Sequence, residues 1–306
     1  MVPNAASPGR ILWPGRRILY CVLGRTFAIA VISAGLLAFG ADLKRAEELY
    51  QRTEYAASLQ VLNAENAPDA RAYALIGKNY YMLGNYKKAI DAFQKAAVLE
   101  PASSDLALWL GRTYGRKAET ASPLLAPGNA SKARQYFEKS VELDPHNNEA
   151  LNDLFDYYLE APGFLGGGMD KAEAMAKRIG EVSPAEYHFA EALLADRKKQ
   201  YDTAEEQLRR ALAKAPGQVG RVIDLAKYLA KRGRYQESDA TFQRAAELAP
   251  ESPNVMFAEA HTFIHDKRRL DEARGLLEKY VHSNLTPDDP PREEALKLLK
   301  QIPAGA

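Results

Sequence analysis

The chain has 306 residues, 46% hydrophobic and 26% charged, with 41 Lys+Arg against 40 Asp+Glu. This is ample apolar material for a core, and it excludes a disordered or low-complexity polypeptide. The near balance of charge excludes the strong basic excess that nucleic-acid binding requires, so no nucleic acid is expected among the partners.

Residues 1–40 differ from the rest. They hold Arg10, Arg16, Arg17 and Arg25 and no acid, and then an uncharged apolar run from Thr26 to Phe39. A basic start, a short apolar middle and the small residues Ala38 and Gly40 are the parts of a secretory signal peptide, with cleavage expected near Gly40 or Ala41. As helix the run rises only about 21 Å, short of the roughly 30 Å hydrocarbon core. The alternative is an uncleaved N-terminal anchor at the inner membrane. Either way the expected compartment is the cell envelope, the periplasm if the leader is removed. Without the four arginines the balance becomes 37 basic to 40 acidic side chains, about −3. Cys21, the single cysteine, lies in the leader, so the remainder has neither disulfide nor thiol nucleophile. Any membrane contact is therefore expected through the N-terminal segment alone.

From residue 41 the chain repeats at close to 34 residues. The clearest copy runs from Ala70 to Pro101, with Tyr73, Gly77, Tyr80, Gly84, Tyr86, Ala89, Phe93, Ala96 and Pro101 at fixed offsets. The alanine opening each second helix recurs as Ala133, Ala172, Ala204, Ser238 and Ala273, and prolines close the copies at Pro145, Pro184, Pro216 and Pro250. Apolar residues three and four apart, such as Leu106, Leu110 and Tyr114, predict two amphipathic helices per copy. Proline stops the second helix before the next begins. One hairpin cannot bury its own apolar face, so neighbours must stack.

Two copies exceed the period, with the extra residues between first and second helix. Residues 121–129 and 161–168 are the expected loops, and both carry apolar side chains: Leu124, Leu125, Phe164 and Leu165. Folding of these loops over the helix ends is favoured over a partner-gripping lip. Residues 283–291 read as a proline-rich break. Arg292 to Ile302 reads as a capping helix with Ala295, Leu296, Leu299 and Ile302 on its apolar side.

On these offsets the chain resembles the tetratricopeptide repeat (TPR) family over about residues 42–287. The copies at 70–101 and 219–250 (Leu225, Gly233, Tyr235, Phe242, Ala245, Pro250) match it best. The first and last copies lack the glycines. The copy at 185–216 places Glu191 where a buried leucine is usual, so either the register slips there or Glu191 is paired. The resemblance implies an all-α, right-handed superhelical solenoid of about seven hairpins over 41–287, with a capping helix and tail over 288–306. It implies a non-catalytic scaffold binding a protein or peptide segment in its concave groove, with no cofactor.

Carried over by offset, the groove would be lined by Arg71, Ala74, Leu75, Lys78, Tyr81 and Met82, then Leu108, Trp109, Arg112 and Arg116. An acidic stretch follows, Glu149, Asn152, Asp153, Asp156 and Glu160, and then Lys227 and Lys231 beside Asp224. A basic stretch with an exposed Trp and Tyr, followed by an acidic one, suits a segment of opposite charge order. The lysine and asparagine set with which some members clamp a carboxylate is not reproduced, since Leu108 and Trp109 stand where the amide is needed.

Signs of catalysis are weak. Gly163–Gly168 follows no strand and precedes no Gly-Lys-Ser/Thr, which excludes a dinucleotide fingerprint or phosphate loop. His261 and His265 stand one helical turn apart, a spacing that can hold a metal and the basis of an alternative metalloprotein or enzyme reading. No third ligand is evident beside them, and a packed histidine beside a surface one is the simpler reading.

Overall fold

The computed structural model describes residues 42–64 and 68–303, and the leader lies outside them. All regular structure among the described residues is helical. The helices are α1 (42–51), α2 (Tyr55–Asn63), α3 (Ala70–Met82), α4 (Tyr86–Leu99), α5 (Ser104–Glu119), α6 (Ala126–Leu143), α7 (Asn148–Glu160) and α8 (Met169–Val182). They continue with α9 (Pro184–Arg197), α10 (Tyr201–Lys214), α11 (Val219–Lys231), α12 (Tyr235–Leu248), α13 (Pro253–His265), α14 (Leu270–Val281) and α15 (Arg292–Gln301). The first fourteen pair as seven hairpins, each packed on the next, and α15 covers the last.

The repeat offsets have direct packing causes. Gly77 lies against the Phe93 ring of its partner helix, and a Cβ there would sit 2.6 Å from it; Gly111 stands likewise 2.5 Å from Phe137. Removing the side chain lets the two axes approach and buries the ring. Ala89, Ala133, Ala172, Ala204 and Ala273 are buried at the second crossing point. Ser238 replaces alanine there, and its hydroxyl donates to the Ala226 carbonyl at 2.8 Å; Ser58 donates in the same way to Ala46 at 2.8 Å. Several first helices are capped by short polar side chains: Asp69, Ser103, Asn147 and Ser183 accept from the backbone N–H three residues on.

The turn inside the hairpin is also shared. Gly84 (φ 71°) and Gly233 (φ 73°) take the left-handed conformation, and the next N–H reaches back to the carbonyl five residues earlier. In the hairpins without glycine the same place is held by Thr53 (φ 60°), Lys199 (φ 61°) and Lys267 (φ 53°), with the same back-bond from Glu54, Gln200 and Arg268. The step from Ser238 to Ala273 is one residue longer than the step before it. That residue lies in the last hairpin's turn, where Arg269 also has positive φ (47°).

Four expectations are corrected. Pro184 does not trail its hairpin; it opens α9 directly behind the Ser183 cap, so α8 and α9 abut. Residues 126–129 belong to α6, so the third hairpin's inserted turn is 120–125 and much of its extra length is helix. On α15 the buried residues are Ala295 and Leu298, followed by Ile302, whereas Leu296 is exposed, because the helix meets α14 one position round from the expected stripe. Glu191 is half-buried with no partner among the described side chains. Lys199 and the buried Ala192 keep the register intact around it.

The array comes round on itself. The turn at Arg52–Ala57, with Met82 and Leu83, shares a cleft with Leu285–Glu293 from the other end. Asp288 lies near enough to Tyr50 and Tyr55 for its charge to add to burial in raising both phenols, that of Tyr55 to about 12.

Candidate functional site

The first helices of successive hairpins line the inner wall, and their side chains form a ladder of pairs between neighbours. Arg71 of α3 meets Glu47 of α1 at 3.1 Å. Arg112 of α5 donates to Asp153 of α7 at 2.6 Å and reaches Glu149 at 2.9 Å. On α9, Arg197 pairs with Glu160 and Glu186 accepts from Asn152 at 3.4 Å; on α11, Arg221 meets Glu186 at 3.0 Å and Lys231 meets Asp196 at 2.6 Å. Thus much of the basic and acidic charge is paired between neighbouring repeats, although Arg71, Arg116, Glu149, Asp156, Glu160, Lys227 and Lys231 remain exposed to solvent.

Trp109 is half-buried. Its ring stacks on Phe93 (centroids 5.8 Å apart, 21°) and meets the edge of Tyr81 at 5.3 Å, while Lys78 and Arg112 lie over it at 5.1 and 5.4 Å. Leu75 and Leu108 are core residues, 6% and 1% exposed, and offer nothing to a ligand. Arg116 pairs with Glu119 on its own helix. Asp156 reaches solvent but is hemmed in by the wall, and this burial, with the charges of Asp153 and Glu160, pushes its carboxyl up to about 6.

An apolar concavity lies further along, between α9, α11 and α13. It has a volume of about 510 Å³ and is walled by Phe189, Leu193 and Tyr228, with Lys227, Lys231 and Asp196 at its polar side. Lys227 is exposed and makes no ion pair or hydrogen bond among the described residues. His261 and His265 belong to this cavity. His261 stacks on Phe257 at 6.2 Å, and His265 Nδ1 lies 2.8 Å from Asp266. Among the described residues no group of three His, Cys, Asp or Glu side chains could hold a metal. Phe189 and Leu193 escaped sequence reasoning because Glu191 disturbed the pattern of that copy. The turn residue Lys199, counted as a glycine, would have recovered their offsets.

Three segments match tetratricopeptide repeat profiles: residues 70–103, 126–147 and 197–256. The chain is 26% identical over 211 residues to Superkiller complex protein 3 of Mus musculus, a match covering 65% of this chain but 12% of that protein. A crystal structure of a tetratricopeptide repeat protein from Parabacteroides merdae superposes with a TM-score of 0.55 at 14% identity, covering 87% of this chain and 99% of that one. A thermophilic TPR protein of Thermus thermophilus is 21% identical over 65% of this chain and 97% of its own, with a TM-score of 0.49. The chain thus carries tetratricopeptide repeats over these segments. Its repeats mark a protein–protein interaction scaffold, and proteins of this family are generally non-catalytic.

Proposed function

We propose that the protein holds an extended or helical segment of a partner in its concave groove, anchored in the cavity between α9, α11 and α13. The observation that carries this reading is the pairing of an apolar concavity, walled by Phe189 and Leu193, with the unpaired ammonium of Lys227. An apolar anchor would fill the cavity, and a carboxylate beside it would meet Lys227. Desolvated anchors supply most of the affinity in such contacts, and rim charges set register. The early groove is a weaker candidate, since Arg112 and Trp109 are engaged within the protein.

The test is selection of binding peptides from a random library on the purified protein, followed by titration against variants. Lys227→Glu and Leu193→Gln should each weaken the selected peptides at least ~10-fold, the equivalent of about 1.4 kcal/mol. Unchanged affinity in both would remove the anchor from this cavity.

We further propose export to the cell envelope, supported by the arginines, apolar run and small residues of positions 10–41. N-terminal sequencing of the native protein checks it: a mature chain starting near Ala41 is expected, and retention of Met1 would assign the anchor reading.

A further inference from the structure

One side chain in each of five first helices stands nine residues after the helix N-cap. These are Lys78 behind Asp69, Arg112 behind Ser103, Asp156 behind Asn147, Lys227 behind Gln218 and His261 behind Ser252. On α9 the same count from Ser183 falls on the buried Ala192, and its neighbour Leu193 walls the cavity between α9, α11 and α13. The ladder of pairs puts this column on the inner wall. Asp153 and Glu160 reach Arg112 of α5 and Arg197 of α9, and Asp156 lies between them on the same face of α7. Asp224 and Lys231 flank Lys227 on α11 in the same way, and Lys231 reaches Asp196 of α9. Lys78 lies over the Trp109 ring of α5 at 5.1 Å.

The charges around the column are matched, and three charges of the column itself are not. Beside Lys78, Glu47 pairs with Arg71 at 3.1 Å and Glu48 with Lys44 at 4.0 Å. Beside Asp156, Arg112 holds Asp153 and Glu149, and Arg197 holds Glu160. Beside Lys227, Arg221 binds Asp224 at 2.8 Å, Lys231 binds Asp196 at 2.6 Å, and Asp266 lies 2.8 Å from His265 Nδ1. On α9 and α13, Glu186 is bound by Arg221, and Glu191 and Glu259 do not wall the cavity. Lys78, Asp156 and Lys227 make no ion pair or hydrogen bond among the described residues. No cation offsets the burial of Asp156 or the charges of Asp153 and Glu160, which together push its carboxyl up to about 6.

Taken from α3 to α11, the free column is cation, anion, apolar wall, cation. A segment laid along it takes these charges out of water, and each then needs an opposite charge at its own level. The inserted turns at 120–125 and 161–168 have no ionisable side chain and supply no such order. Leu165 folds back half-buried while Leu124, Leu125 and Phe164 stay exposed, so the expected folding over the helix ends is met in part. Residues 1–40 hold no acid and do not fit the two lysines. We propose that the partner segment carries, in the order α3 to α11, a carboxylate, a cation, an apolar side chain and a second carboxylate. This rests on the groove reading above and adds the chemistry of its ligand.

Peptides selected from a random library on the purified full chain test this, with Leu193→Gln reporting on the groove and charge reversals on the column. The selected pool should share the order acid, base, apolar, acid. Lys78→Glu and Asp156→Lys should each weaken a selected peptide at least ~10-fold, and reversing the facing charge in the peptide should restore most of that loss. Lys139→Glu, an exposed lysine of α6, should leave affinity within ~2-fold at physiological salt. Neither column reversal removes an ion pair or hydrogen bond, so far-ultraviolet circular dichroism should stay that of the wild type. The proposal is overturned, with the groove reading kept, if Leu193→Gln weakens binding while both reversals leave it unchanged. If none of the three variants matters, or no peptide is selected, both fall. Self-association abolished by the same reversals would assign the column to a second copy, and that too overturns the proposal.

Discussion

Arg112 on the third hairpin holds Asp153 on the fourth, Nε to Oδ2 at 2.6 Å, with both side chains about three-quarters buried. Burial raises the Asp153 carboxyl, and the Arg112 bond works against that rise. Arg112→Ala leaves Asp153 and Glu149 facing each other unpaired. The expected loss is about 1–2 kcal/mol, between the figures for exposed and fully desolvated pairs. Urea unfolding checks it, and a cycle with Asp153→Asn should show that most of the loss is shared between the two residues.

Gly77→Ala and Gly111→Ala place a methyl inside a phenylalanine ring's contact distance. Each should destabilise by about 1–3 kcal/mol, since the paired helix must shift to accept the extra carbon. Phe93→Leu in the Gly77→Ala background should recover part of the loss, which thermal unfolding would read.

Lys199 and Lys267 occupy the left-handed turn that Gly84 and Gly233 fill elsewhere. Lys199→Gly and Lys267→Gly should therefore stabilise, by up to about 1 kcal/mol each, the relief of Cβ strain exceeding the added freedom of the unfolded chain. A fall in melting temperature in both would remove strain as a feature of these turns.

Asp156 has its carboxyl raised to about 6 by burial against the groove wall and by Asp153 and Glu160. A group that binds its proton more tightly when folded opposes folding above its folded pKa, and the penalty is relieved as pH falls from about 6 toward the ordinary carboxylate value. Asp156→Asn should accordingly raise the melting temperature at pH 7.5, with the gain shrinking as the pH approaches 4.5. Direct titration of the Asp156 carboxyl by NMR should give a midpoint well above that of an exposed aspartate.

The fold was readable because its determinants are local. Gly77, Phe93 and Ala89 sit at offsets that no other pairing of two helices explains, and copies of them recur down the chain. The turns were harder, because Thr53, Lys199 and Lys267 take a conformation that residue type alone assigns to glycine. The groove was readable only as a set of positions. Arg112 and Asp153 are 41 residues apart, and nothing in either copy announces that they bind each other. Trp109 looked exposed by offset, yet Phe93 and Tyr81 come from the preceding hairpin to cover it. Membership of the groove follows from period, whereas freedom to meet a partner depends on what the neighbouring repeat supplies.

The approach of Leu285–Glu293 to Arg52–Ala57 and Leu83 sets a limit on how this architecture can grow. Most stacked-repeat proteins can gain a unit at little cost, since each contacts only its neighbours. Here an eighth hairpin inserted between the first and the last would drive one terminus into the other or force the circuit wider. Duplication, the usual way such arrays lengthen, would change the curvature of every remaining repeat, so hairpin number and the shape of the inner wall are tied together in this chain.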